Sequence, residues 1–159
     1  QLRTDLANYW TERTERKLVD AMVAEIVKRQ QITVPESLVR GVLDSLVEEM
    51  KGRYPNKQLP PEVDEESFRK NSRGYAVFQA TWYLIRERII EAEHITVEEA
   101  EIQRLAETDA PKVGIDKERL LQFYQSSSQV KDRILSDKLI TLLKANHAIT
   151  VKATEEFFD

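Results

Sequence analysis

Cysteine is absent from this 159-residue sequence, and glycine and proline are scarce, at 4 and 5 residues. The absence of cysteine excludes disulfides and metal sites built from thiolates. Glycine and proline are the residues that most often interrupt helices, and here they fall near positions that look like connections. The sequence therefore favours long helices joined by short loops.

The sequence also lacks an excess of positive charge and a long apolar run. Its 24 basic and 28 acidic residues give a net charge of −4 without a basic block, so nucleic acid is not a predicted partner. No apolar run approaches the roughly 20 residues that cross a membrane, so no membrane partner is predicted. The sequence begins with neither Met nor a signal-peptide pattern, and we expect it to be part of a longer protein.

No catalytic motif is present: the patterns typical of zinc peptidases, phosphate-binding loops, dinucleotide sites and serine hydrolases are all missing. His94 and His147 each lie just before an Ile-Thr-Val triplet, near the end of a predicted helix, where the helix dipole favours histidine. The acidic clusters at 64–66 and 98–99 fall in the first turns of predicted helices, which also favours a structural role. We therefore predict no catalytic residue, no metal, no cofactor and no enzyme activity in this chain.

Apolar residues recur at helical spacing along the chain, and no segment alternates as a strand does, so we predict an all-α fold. Three prolines within 54–63 cannot continue a helix, and they predict a loop at the tip of a helical hairpin. Residues 110–114 predict a second turn. The predicted helices are 2–30, 35–53, 64–93 and 96–109, one that begins after Asp116, one that follows a break at serines 126–128, and a short one within 150–159.

The triplet Ile-Thr-Val occurs three times, with its threonine at positions 33, 96 and 150. Each threonine is placed to cap the following helix, and Glu36 and Glu99 stand where a capping box needs an acid. The repeat predicts three similar helix–connection–helix joints. The alternative is a chance similarity among good N-caps.

The second predicted helix carries two parallel apolar rows. A helix of a two-helix arm has little interior to cover both rows, so one row would form an exposed binding groove. The alternative is ordinary packing of both rows against the third helix. The first row is Leu38, Val42, Leu46 and Met50, and the second is Val39, Leu43 and Val47.

The middle of the third predicted helix, residues 75–85, is apolar or aromatic on every side. We interpret its aromatic residues as core, because such segments are normally enclosed by other elements, with a ligand site as the alternative. Gly74 beside them predicts a close approach by another helix. The aromatic residues concerned are Tyr75, Phe78, Trp82 and Tyr83.

Several segments, in order, resemble the C-terminal domain of trigger factor, a ribosome-associated bacterial chaperone. Residues 32–39, Ile-Thr-Val-Pro-Glu-Ser-Leu-Val, resemble the entry to that domain's first arm. Residues 64–93 are similar to its long return helix, with an acidic start that leads through Phe68, Arg69 and Arg73 into an apolar middle.

The rest of the chain carries the resemblance further. Residues 95–99 are similar to the joint into the second arm, and Leu-Leu-Gln-Phe-Tyr at 120–124 resembles a step of the family's second arm. Residues 148–151 and 155–158 loosely match the family's terminal pattern. The helical fold is similar to that of SurA-type periplasmic chaperones as well.

The resemblance implies an elongated all-α domain with two helical-hairpin arms on a body. We expect a single chaperone domain over 1–159, with a body helix at 1–34, arms at 35–94 and 95–147, and a tail at 148–159. The family's ribosome-docking and prolyl isomerase domains have no counterpart in this sequence. Ribosome contact and isomerase activity would therefore belong to parts outside this chain, in the bacterial cytoplasm, with a periplasmic relative as the alternative.

The function that follows is ATP-independent binding of unfolded or nascent polypeptides by exposed apolar patches. The alternative is a helical assembly module that pairs with one defined partner or forms a homodimer. The predicted client-binding residues combine the apolar stripes with the resemblance. They are Val42, Leu46, Met50 and Phe68 in the first arm, and Leu105, Phe123 and Tyr124 in the second.

Overall fold

The computed structural model describes residues 2–30 and 32–146, with side chains from Tyr9 onward. These residues form six α-helices and no strand, which confirms the all-α prediction. The loop at 53–64 and the helix break at Ser127 also lie where the sequence predicts them. The helices are α1 Leu2–Arg29, α2 Glu36–Gly52, α3 Glu65–Ala92, α4 Glu99–Val113, α5 Lys117–Ser126 and α6 Ser128–Asn146.

The predicted end of α4 is wrong. The helix continues through Pro111 to Val113, whereas the sequence predicts a turn at 110–114. The residue that ends α4 is Gly114, whose φ of 67° is left-handed and whose N–H donates to the carbonyl of Ala110. A left-handed glycine satisfies the last carbonyls of a helix, so glycine rather than proline stops α4.

The predicted threonine caps at α2 and α4 are also wrong. Helix α2 has Pro35 at its N-cap position, in place of Thr33, and no side-chain cap bond. At α4 the N-cap is Glu98, whose N–H donates to Oε2 of Glu101 at 2.8 Å. Both helices begin two residues later than a threonine cap requires, so the threonine hydroxyl is out of register with the free N–H groups. The third triplet, at 149–151, lies outside the described residues.

His94 lies two residues beyond the end of α3 and takes part in the hydrogen bonds that end the helix. Its φ of 52° is left-handed. Its N–H donates to the carbonyl of Glu91 at 3.2 Å, and the N–H of Ile95 donates to that of Ile90 at 2.9 Å. This pair of bonds is the Schellman motif, which is usually built on glycine. His147 lies outside the described residues.

The chain forms two compact units, residues 1–87 and 88–159, and the boundary falls within α3. The predicted body, arm and tail limits stay predictions, and 148–159 lies outside the described residues. In the first unit, α2 packs on α3 through Val39 and Leu43 of α2 and Ala76 and Ala80 of α3. Gly74, by contrast, has no atom of another element within 4 Å of an added Cβ, so the close approach predicted there is wrong.

The second unit has its own buried residues on α4, α5 and α6, with α5 in contact with both neighbours. Polar bonds hold the start of α4 to α6: Nζ of Lys138 donates to the carbonyl of Thr96 at 2.8 Å and lies 3.0 Å from Oε1 of Glu101. The buried apolar side chains of this unit are Ile102, Ala106, Leu120, Leu139 and Leu143.

Leu139 is the most buried leucine of the second unit, at 1% exposure. Its replacement by alanine should lower the free energy of unfolding by about 2–4 kcal/mol, because it leaves a cavity in the core. The measurement is urea unfolding followed by circular dichroism. Leu135→Ala, at a half-buried position of the same helix, is the control and should cost clearly less. Equal losses from the two variants would contradict this assignment of the core.

Candidate functional site: a groove between α2 and α3

An apolar groove of about 430 Å³ lies between α2 and α3 in the first unit. The α2 side presents three aliphatic side chains that follow one another at one-turn intervals, with small residues between them. The α3 side presents two tyrosines and a glutamine at the same interval. The lining residues are Ser37, Leu38, Gly41, Val42, Ser45, Leu46 and Glu49 of α2, and Tyr75, Gln79 and Tyr83 of α3.

The two apolar rows of α2 differ in how deeply they are buried. Val39, Leu43 and Val47 are core, at 2%, 7% and 1% exposure. The other row lies about 100° around the helix, because each residue precedes its core neighbour by one position. Its members are half-buried, and the first three face the groove. The α2 stripe therefore serves both as packing surface and as groove lining.

The prediction that the aromatic group of α3 is core is wrong for two of its four members. Tyr75 and Tyr83 are 53% and 49% exposed, while Phe78 and Trp82 are half-buried. The contact face of α3 is taken instead by alanines, at 76 and 80, each one position after a groove residue. Small residues one turn apart allow close helix packing, and they are the sequence signal for the contact face.

Two ion-pair networks join α2 to α3. Arg73 binds Glu36 with both of its terminal nitrogens, each 2.7 Å from a carboxylate oxygen. Arg69 binds Asp44 at 2.7 Å and also Glu65 of its own helix. Hydrogen bonding to Arg73 lowers the pKa of the Glu36 carboxyl below its usual 4.5. None of these five residues lines the groove.

The four residues predicted for the first arm do not form one surface. Val42 and Leu46 line the groove together. Met50 continues their row one turn further on and is half-buried, but it is not part of the lining. Phe68 is also half-buried and also lies outside the lining. Sequence reasoning missed Gln79, and it gave Tyr75 and Tyr83 a ligand site only as the alternative, since apolar periodicity assigns the tyrosines to the core.

The three residues predicted for the second arm do not share one groove, although the ring centroids of Phe123 and Tyr124 lie 6.1 Å apart. Leu105 lines a groove of about 310 Å³ with Ile134 of α6, and neither Phe123 nor Tyr124 contributes to it. Phe123 is 62% exposed. Tyr124 is half-buried, and its hydroxyl donates to Oδ2 of Asp109 at 3.1 Å. Burial, together with this bond, raises the pKa of Tyr124.

A third groove, of about 650 Å³, lies between α6 and the connection from α3 to α4. Ile95, Leu142 and Ala145 supply its apolar part, and Glu98 and Asp137 are among its acidic residues. Sequence reasoning did not identify this groove. The Ile-Thr-Val triplet at 95–97 marks only one side of it, and the other side comes from α6, about 40 residues later in the chain.

The described residues contain no group of three or more potential ligands that could hold a metal ion. No described helix is long and apolar enough to cross a membrane. This part of the chain contains open grooves that are lined in part by apolar side chains.

The fold and the grooves define a helical domain with open apolar surfaces, and comparison with known proteins gives its family. Residues 1–145 match the family described as the C-terminus of bacterial trigger factor protein. Trigger factor of Salinibacter ruber is 32% identical over 98% of this chain and 35% of its own length. Trigger factor of Chloroherpeton thalassium is 31% identical over 96% of this chain and 36% of its own.

A solved structure of trigger factor domains from Thermotoga maritima has a similar fold. It has a TM-score of 0.63 at 16% identity, with 83% of this chain and 82% of that chain covered. The chain belongs to the trigger factor C-terminal family, a family of chaperone domains. It spans about a third of the length of the curated relatives it matches.

The Glu36–Arg73 pair makes stability depend on pH in a defined direction. Its carboxyl has a lowered pKa in the folded state, so the pair stabilises the fold above the usual value of 4.5, and the benefit is lost as pH falls through the lowered value. Glu36→Gln should therefore have a lower melting temperature than the unaltered chain at about pH 7, and the difference should be smaller at about pH 3.

Glu62→Gln is the matched control, because Glu62 lies exposed in the loop before α3. That variant should melt like the unaltered chain at both pH values. A melting difference for Glu36→Gln that is the same at pH 7 and pH 3 would show that the ion pair is not its cause.

Proposed function

We propose that this chain holds unfolded or nascent polypeptides without ATP, by covering their exposed apolar side chains in its grooves. One observation carries the proposal: Leu38, Val42 and Leu46 stay half-buried in an open groove while the neighbouring row of α2 is fully buried. An aliphatic surface left open beside a complete core is available to a partner.

The size of the groove suits transient binding. Its volume of about 430 Å³ is in the range of about 300–1,000 Å³ found for ligand pockets. Burial of one aliphatic side chain stabilises a complex by about 1.5–3 kcal/mol. Association itself costs about 4–15 kcal/mol, so two or three side chains in one groove give weak binding with rapid release.

Several such surfaces on one chain give useful avidity, because a client bound at one is held at high effective concentration near the next. Met50 and Phe68, both half-buried and outside the groove lining, are further candidates in the first unit. Leu105, in its own groove, and the exposed Phe123 are the corresponding candidates in the second unit. Tyr124 contributes its ring rather than its hydroxyl, which Asp109 already binds.

In this proposal the chain only binds the unfolded polypeptide and keeps it from aggregating. Contact with the ribosome and prolyl isomerisation are assigned to other parts of a full-length trigger factor. The bacterial cytoplasm, where nascent chains emerge, is the proposed location. Binding through apolar burial needs neither a nucleotide nor a metal.

The test is suppression of aggregation of a chemically unfolded model protein by the purified chain, without ATP. The double variant Leu46→Ala/Met50→Ala should need about fivefold more chain for the same suppression, because it removes most of two apolar side chains that would contact the client. Val77→Ala is the matched control. Val77 is a solvent-exposed aliphatic residue of α3, two positions from both Tyr75 and Gln79 and so on the other side of the helix.

Each outcome has a definite meaning. If the double variant keeps its circular dichroism and suppresses poorly while Val77→Ala suppresses normally, the proposal holds. If it loses helicity, Leu46 and Met50 are core residues and this assignment is wrong. If the unaltered chain does not suppress aggregation and instead forms a dimer or a fixed-stoichiometry complex, the chain is an assembly module.

A further inference from the structure

The two sides of the α2–α3 groove differ in chemistry. The α2 side is aliphatic, with Leu38, Val42 and Leu46. The α3 side carries Tyr75, Gln79 and Tyr83, each an apolar stem or ring that ends in a hydrogen-bonding group. A groove that only covered apolar side chains would not need hydrogen-bonding groups at every turn of one side.

These polar groups keep unused hydrogen-bonding capacity. Nε2 of Gln79 donates to the hydroxyl oxygen of Tyr75 at 2.5 Å, which holds the two side chains together. The hydroxyl proton of Tyr75, the side-chain carbonyl of Gln79 and the hydroxyl of Tyr83 have no hydrogen-bond partner among the described residues. The α3 side thus offers both donors and acceptors to a ligand in the groove.

The spacing of this row fits an extended peptide. Residues 75 and 83 are eight positions apart on a helix, which is about 12 Å along the axis. An extended chain advances about 3.3 Å per residue, so the row matches roughly four residues of peptide. Such a segment exposes main-chain N–H and C=O groups in both directions, and its side chains alternate between opposite faces.

Charge in the groove selects against a charged ligand. Glu49 is the one lining residue that is charged at neutral pH. Its Oε1 accepts from Arg53 at 2.7 Å, so this carboxylate is paired within α2 and its immediate C-terminal end. A charged side chain that rested on the aliphatic α2 side would lose hydration there, and an acidic one would meet no cation in the lining.

We propose that Tyr75, Gln79 and Tyr83 hydrogen-bond the main-chain amides of an uncharged, extended polypeptide segment, while its apolar side chains rest on Leu38, Val42 and Leu46. This inference rests on the proposed function, since it describes how the same groove holds a client. Every peptide has the same main chain, so recognition on the α3 side is independent of sequence. The α2 side adds only a preference for apolar side chains.

The experiment measures binding of a labelled peptide to the full chain by fluorescence anisotropy. The probe has a central four-residue segment of Leu and Ala between Gly-Ser flanks, and a second probe carries N-methyl groups on the central amides. The unaltered chain should bind the methylated probe about fivefold or more weakly, since methylation removes hydrogen-bond donors. A third probe, methylated only in the flanks, should bind like the first.

The variant Tyr75→Phe/Gln79→Leu/Tyr83→Phe keeps the rings and the apolar bulk of the α3 side but removes its polar groups. It should bind the unmethylated probe about fivefold more weakly and no longer discriminate against the methylated one. Tyr54→Phe, at an exposed tyrosine in the loop outside the groove, is the matched control and should bind both probes as the unaltered chain does.

The results separate this inference from the proposed function. If Val42→Ala/Leu46→Ala weakens binding but neither methylation nor the triple variant does, the groove holds clients and main-chain recognition is wrong. If the unaltered chain binds no probe, or if the Val42→Ala/Leu46→Ala variant binds the unmethylated probe as well as the unaltered chain does, the groove is not a client site and both proposals fail.

Discussion

The packing of α2 on α3 is the constraint on which the rest of the first unit depends. Val39 and Leu43 of α2 meet Ala76 and Ala80 of α3, and the alanines are fully buried. Because alanine has a small side chain, it leaves room at this contact for the larger Val39 and Leu43. The side chains one position earlier on α2, Leu38, Val42 and Leu46, pack against the edge of this contact and stay half-buried.

The groove follows from that contact. Once one row of α2 and the alanines of α3 are buried, helical geometry places the preceding row of each helix about 100° away. The preceding row is aliphatic on α2 and amphipathic on α3. The sequence determines this chemistry, and the packing of the two helices determines where the rows lie. The ion pairs Arg73–Glu36 and Arg69–Asp44 join the same two helices without occupying the groove. Pairs this exposed add little stability individually, so apolar contact contributes most of the stability of the helix pair.

Much of the fold is predictable from the sequence because local signals agree. The prolines of 54–63 and the serine break before α6 lie at the expected places. The errors arise where two local signals compete. Pro111 predicts the end of α4, but Gly114 provides the left-handed residue that ends it. Thr96 has the side chain of a better cap, yet α4 begins where Glu98 and Glu101 can bond.

Only the α2 side of the candidate site is predictable from the sequence. On α2, both rows are apolar and both recur at helical spacing, so periodicity alone cannot say which row is core. The answer depends on α3, about 35 residues away, whose alanines determine the row they contact. The apolar character of Tyr75 and Tyr83 predicts core positions, although their polar ends suit a half-exposed position equally well. The groove is thus a property of the helix pair and not of either helix.

The central claim is that clients bind to the half-buried row of α2 and leave its buried row in place. The most direct test is methyl NMR of the chain, with labelled Leu and Val side chains, before and after an unfolded polypeptide is added. The account predicts that methyl signals of Leu38, Val42 and Leu46 shift or broaden, while those of Val39, Leu43 and Val47 stay unchanged. Equal changes in both rows, or changes confined to the buried row, would contradict the account, since clients would then bind by disrupting the α2–α3 packing.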